Sequence, residues 1–166
     1  MKNIILLILL TTTWAPLSGA VSRVGGGKIN SLSSGFEMDA PESFLNIKAT
    51  GRDSVRAEGP PTYVMGRGVM TQFIDIGEFR NEFPDFVDYS ANDIQSRLER
   101  SAWSVVSNSD CILIMKSNDP QITAYIATWG LGKGFVLKGR SLPDVDKAMT
   151  GFINSLVLTP GSCAWK

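Results

Sequence analysis

Residues 111–140 read CILIMKSNDPQITAYIATWGLGKGFVLKGR, and this stretch decides the fold class. Cys111 to Lys116 is a near-continuous apolar run, as a central strand requires. Ser117-Asn118-Asp119-Pro120 is turn chemistry, because short polar side chains and proline stabilise a reversal. From Gln121 to Trp129 the pattern alternates. Ile122, Ala124, Ile126 and Thr128 fall on one face, and Thr123, Tyr125, Ala127 and Trp129 on the other. Gly130 to Gly134 is the next turn, and Phe135-Val136-Leu137-Lys138 a further strand. Both connections are too short for a parallel crossover, so the three strands are predicted to form an antiparallel meander.

Downstream, Ser141-Leu142-Pro143-Asp144 has the S-x-x-D form of a helix start, with proline early in the first turn. Val145, Ala148, Met149, Phe152, Ile153 and Leu156 follow at helical spacing. That stripe must pack on the sheet. Thr159-Pro160-Gly161 ends it. Upstream, Ser90-Ala91-Asn92-Asp93 starts a second helix. Ile94, Leu98, Ala102 and Val105 share one face, which predicts a helix running to about Val106.

Earlier still, Phe36 to Asp39 and Phe44 to Lys48 read as short strands. Residues 51–61, closing on Gly59-Pro60-Pro61, read as a loop or hairpin connection. Residues 62–76 read as one long strand, or two broken at Gly66 and Gly68, with Tyr63, Met65, Val69 and Phe73 on one face. The expectation is an α+β domain over residues 35–160: an antiparallel β-sheet with two main helices packed on it. Residues 21–34, VSRVGGGKINSLSS, read as a flexible Gly/Ser-rich arm, and 161–166 as a C-terminal tail.

The start of the chain addresses it. Lys2, the apolar run Ile4 to Leu10, and Ser18-Gly19-Ala20 have the form of a secretory signal peptide cleaved after Ala20. Pro16 and the short apolar run speak against a membrane anchor. The expected location is periplasmic or secreted, with no membrane span after cleavage. Two cysteines, Cys111 and Cys163, fit one disulfide in an oxidising compartment, with two buried free thiols as the alternative.

Composition narrows the function. The chain has 166 residues, 43% hydrophobic and 19% charged, which suits one globular domain rather than disorder. Lys plus Arg is 16 and Asp plus Glu is 16, a balance that disfavours phosphate-backbone binding, so no nucleic-acid partner is expected. There is no His, which removes Ser-His-Asp and Cys-His catalysis and His-ligated zinc.

The element order resembles that of the Mog1/PsbP-like group of small α/β/α sandwich proteins. The matching features are Gly35-Phe36-Glu37-Met38-Asp39-Ala40-Pro41 at the domain start, a helix before a three-strand meander, and the closing helix with Phe152-Ile153-Asn154-Ser155-Leu156. Coverage would be about residues 35 to 158. Glu42-Ser43-Phe44 departs from the aromatic or Gly-Trp pair common after the opening. The resemblance implies a non-enzymatic binding or assembly module and transfers no catalytic residue.

The main local anomaly is acidic and aromatic. Asp75, Glu78, Glu82, Asp85, Asp88 and Asp93 face only Arg80, and Phe79, Phe83, Phe86 and Tyr89 lie among them. Glu78, Glu82, Asp85, Phe86 and Asp88 are the candidate surface for a partner protein with a basic face. A solvated loop before a helix N-terminus, or a weak Ca²⁺ site, are the alternatives. No cofactor and no metal are expected. Gly130 to Gly134 lacks the P-loop spacing and reads as a plain turn. Carboxylate pairs, Glu37 with Asp39 or Asp85 with Asp88, leave a small glycoside hydrolase as a remote option. The leading expectation is an exported non-enzymatic protein-binding module of the bacterial envelope. One specific form is a periplasmic immunity protein that inhibits a toxin; an accessory or assembly factor is the alternative.

Overall fold

Among the described residues, extended strands and three α-helices make up the chain's regular structure. The computed structural model describes residues 21–24, 27–51 and 53–165; the expected signal peptide and its cleavage site after Ala20 lie outside the described residues. The elements are β1 (Val21–Val24), β2 (Lys28–Ser31), β3 (Phe36–Asp39), β4 (Asn46–Ala49), β5 (Ser54–Val64) and β6 (Gly68–Glu78), then α1 (Phe79–Glu82) and α2 (Ala91–Glu99). There follow β7 (Trp103–Asn108), β8 (Leu113–Ser117), β9 (Ile122–Thr128), β10 (Gly134–Arg140), α3 (Pro143–Asn154) and β11 (Val157–Leu158). The fold is α+β, with antiparallel pairing in both sheets.

The large sheet has the order β4-β5-β6-β10-β9-β8-β7, and the small one β1-β2-β3-β11. The meander sits in the large sheet as its alternation predicts: Ile126 pairs with Met115 on one side and Val136 on the other. Side chains of the large sheet feed two cores. Tyr125, Ala127, Phe135, Leu137, Ile74 and Ile76 pack with the small sheet and with Val145, Ala148, Met149 and Phe152 of α3. Ile126, Val136, Leu113 and Met115 pack on the opposite face with Ile94 and Leu98 of α2 and with Phe79. Four of the six stripe positions, Val145, Ala148, Met149 and Phe152, are thus buried, whereas Ile153 is half-buried and Leu156 lies past the end of α3. Each large side chain among those four contributes roughly 1.5–3 kcal/mol of transfer free energy. Gly139 lets α3 come close, since a Cβ there would stand 2.8 Å from both Phe73 O and Val145 Cγ1.

Six expectations need correction. Residues 51–61 are not a connection, because Ser54–Val64 form strand β5 with Gly59-Pro60-Pro61 inside it, and Phe44 lies in a 3₁₀ turn ahead of a strand that starts only at Asn46. The helix begun at Ser90 ends at Glu99 instead of Val106. Ala102 adopts φ 61°, and Trp103 to Asn108 become the edge strand β7, paired to β8. Val105 and Val106 favour extended backbone, and that preference prevails over the apolar spacing. Residues 21–34 are not simply an arm: β1 and β2 form a hairpin, and β2 pairs with β3. Val21 and Ile29 supply the apolar anchors that a Gly/Ser count hides. The expected tail is packed as well. Ser162 is buried, the Ala164 N–H donates to Trp129 O at 2.8 Å, and the Trp165 indole donates to Cys111 O at 2.5 Å. Finally, Ser141 does not cap α3. Leu142 occupies the cap position without a side-chain hydrogen bond, and Pro143 stands at the first helical turn.

Cys111 and Cys163 lie at disulfide-bonding distance, with Cα atoms 5.4 Å apart. Together with Trp165 they fasten the end of the chain to the loop before β8.

Candidate functional site

The acidic aromatic segment is mostly structural. Phe79 and Phe83 stack at 5.2 Å, Phe83 meets Phe86 at 5.8 Å and Trp103 at 6.1 Å, and Phe86 meets Tyr89 at 5.5 Å. This chain of rings borders the core beneath α2. Phe86 is therefore half-buried, holding the loop to the sheet rather than displaying an aromatic face.

The carboxylates part company. Glu78 is only 1% exposed and cannot belong to a contact surface. It ends β6 between the two sheets, where Ser31 and Ser34 donate hydrogen bonds to it and Ser33 donates at 3.1 Å. No sequence pattern announces this, because the serines lie more than forty residues away in the segment expected to be an arm. Glu82 is exposed but paired with Lys138. Asp75 accepts both Nε and Nη2 of Arg56, at 2.7 and 2.9 Å. The Asp93 carboxylate accepts from the Ser90 hydroxyl at the start of α2, and the Asp93 N–H donates to the same hydroxyl, which caps the helix. Asp85 and Asp88 remain exposed and unpaired among the described residues. Of the five candidate surface residues, those two keep the expected character. Among the described residues no group of three or more His, Cys, Asp or Glu could hold a metal ion.

A second region has the properties expected of a contact surface. β5 and β6 form a hairpin that outreaches its neighbours: β4 pairs with β5 only from Val55 to Glu58, and β10 with β6 only from Ile74 to Glu78. Its turn is closed by the Arg67 N–H donating to Val64 O at 2.9 Å, with Gly66 at φ 77° in the third position, where a type II turn needs positive φ. The tip exposes apolar side chains: Tyr63 72%, Met65 91% and Val69 72%. The sequence places Tyr63 and Val69 on one face, and they do pair across the hairpin, but that face has no cover.

At the base of the hairpin lies a cleft of about 700 Å³. Val64, Arg67 and Phe73 form one wall, Pro120, Gln121 and Ile122 the other, and Lys138 to Leu142 the floor. A small inner pocket of about 60 Å³ adjoins it and shares Val64, Phe73, Arg140 and Leu142. Gln72 lines this pocket, and its buried Oε1 has no hydrogen-bond partner. Its electrostatics are cationic. Arg67 and Arg140 hold no ion pair among the described residues, and the one carboxylate on the walls, Asp75, is already bound by Arg56. The Arg140 guanidinium instead points to Met70 Sδ at 3.0 Å. Apolar walls with a few polar groups are the usual make-up of a recognition site.

No helix among the described residues is long and apolar enough to cross a membrane. Comparison with protein-family models, with curated proteins and with solved structures finds no match to this chain.

Proposed function

We propose that this chain is an exported, non-enzymatic protein-binding module of the bacterial cell envelope, and that its contact surface is the β5–β6 hairpin tip with the cleft at its base. The observation that carries this reading is the exposure of Tyr63, Met65 and Val69 on a projecting hairpin. Large apolar side chains grouped at a tip are costly to leave in water, and such patches commonly mark interaction sites. The paired cysteines fit an oxidising compartment. In the more specific form, a periplasmic immunity protein, the hairpin tip would be the element inserted into a toxin, in place of the acidic segment. Kinship with the Mog1/PsbP-like sandwich belongs to the same proposal and rests on the Gly35–Pro41 opening and on the two main helices. The carboxylate pairs give the hydrolase option little support: Glu37 and Asp39 share Lys28, at 2.6 and 3.3 Å, and the cleft contains neither.

The test is affinity capture from an envelope extract of the source organism, using wild-type protein and the triple variant Tyr63→Ser, Met65→Ser, Val69→Ser. Wild type should retain a stoichiometric partner that the triple variant loses. Equal capture by the variant, with loss in Asp85→Asn, Asp88→Asn, would return the contact surface to the acidic segment.

A further inference from the structure

One edge of the hairpin is an open strand. β6 spans eleven residues, yet β10 covers only Ile74 to Glu78. Over residues 68–72 alternate backbone N–H and C=O groups point away from β5 with no strand beside them among the described residues, and Phe73 O lies against Gly139 where β10 ends. Proteins usually blunt such edges with charge, proline or a bulge. The opposite edge of the same hairpin is blunted in this way. Where β5 outruns β4 it carries Pro60 and Pro61, and its register shifts between Glu58 and Pro61. The β6 edge, Gly68-Val69-Met70-Thr71-Gln72-Phe73, has no proline and no charge. It also borders the cleft: Phe73 is on its wall, and β10 leaves the sheet there through Ser141 and Leu142 into α3. The opening therefore has the place of a missing strand, with β6 on one side and the start of β9 on the other.

We infer that this opening takes an extended acidic segment of the partner protein, added as a strand beside residues 68–73 of β6. The inference rests on the protein-binding reading above and specifies its mode. Strand addition would satisfy the free backbone groups of β6, and pockets on either side would read alternate side chains. The inner pocket has room for a small side chain, and the orphan Gln72 Oε1 is an acceptor for a donor brought by the segment. Arg67 and Arg140 select the charge, since neither is paired with a carboxylate among the described residues. Six paired residues would span roughly 20 Å.

The test uses ¹⁵N-labelled protein and an equimolar pool of acetylated, amidated hexapeptides of the pattern apolar-polar-apolar-Asp-apolar-polar. Binding is expected to shift the amide resonances of residues 68–73 and 138–142 and to slow amide exchange on the β6 edge at least tenfold. The same pool N-methylated at alternate backbone nitrogens, or with Asp replaced by Lys, should bind at least tenfold more weakly. Equal binding of the N-methylated pool, shifts confined to the hairpin tip or to residues 83–89, or no shift at millimolar peptide would each overturn strand addition. Concentration-dependent dimerisation through the same edge, unaffected by the peptides, would overturn it too. The variant Thr71→Glu, which sets a carboxylate on the β6 edge against an acidic segment and leaves the tip side chains in place, separates the two proposals. A captured partner that still binds this variant but not the serine triple refutes strand addition and leaves the protein-binding reading intact. Absence of any captured partner with wild type defeats that reading itself.

Discussion

The two halves of β6 are one strand in two environments. From Ile74 to Glu78 it is flanked by β5 and β10, with Ile74, Ile76 and Glu78 sealed from water. From Gly68 to Phe73 β5 is its only paired strand among the described residues, and Val69 stands mostly in solvent. Extended backbone does not separate them, since both halves belong to one strand. Whether β10 is present does. The inner half gains a second hydrogen-bonded neighbour and one fully buried face, whereas the outer half retains unpaired backbone and apolar surface, the two quantities that association can consume. The lesson is that β-sheet function can be set by where a neighbouring strand stops.

The sharpest way to break this contrast is truncation. Ile76→Ala should cost about 2–5 kcal/mol in urea unfolding, because it opens a cavity in the core, while Val69→Ala should stay within about 0.5 kcal/mol of wild type. Equal losses would show the outer half to be part of the cooperative core. Next comes the cysteine pair. Cys111→Ser with Cys163→Ser should lower stability by about 2–4 kcal/mol, with partner binding unchanged once the protein is kept folded by working below its new melting temperature. A parallel loss of binding would show that the hairpin depends on the opposite end of the molecule.

Glu78→Gln tests the inner end of β6. The amide places a donor where three serine hydroxyls already donate, so a loss of about 1–3 kcal/mol is expected in thermal unfolding, without effect on hairpin binding. A neutral result would mean that the serines simply reorient. The smallest effect is alkaline. Lys116 donates to Asp146 at 2.8 Å, and this hydrogen bond raises its pKa above the ordinary 10.5. Its contribution is complete below pH 10.5 and disappears as the pH climbs through the higher folded value. For a pair this exposed it amounts to about 0.5 kcal/mol. Lys116→Met should flatten that part of the stability curve while the hairpin's ligand affinity stays the same; a change in affinity would couple the two regions.

Much of the fold was legible because its signals are local. Period-two alternation in Gln121 to Trp129 and the 3–4 spacing from Val145 to Phe152 each reflect a single element on a single core. The misreadings arose where the deciding partner is distant. The apolar positions Ala102 and Val105 continue a helical stripe in the sequence, but β8 offers hydrogen bonds to an extended Trp103–Asn108, and the chain takes them. Ser31 and Ser34 looked like arm residues because Glu78, which they serve, is far along the chain. The site suffered most. Glu78 and Phe86 resembled surface residues because acidity and aromaticity do not encode burial. The hairpin edge was invisible because it is defined by Arg140, the last residue of a strand sixty residues later, and not by anything between Gly68 and Phe73.

The small sheet carries a consequence for time rather than for energy. It closes only when Phe36 and Glu37 meet Leu158 and Val157, and the large sheet only when Ile74 finds Gly139. Such distant pairings demand a long search before any contact rewards it, and domains dominated by them fold in milliseconds to seconds, not microseconds. Among the described residues the two-residue strand β11 is the whole cover of the outer edge of β3. Until it forms, the edge of β3 stands as open as the hairpin edge does in the finished molecule.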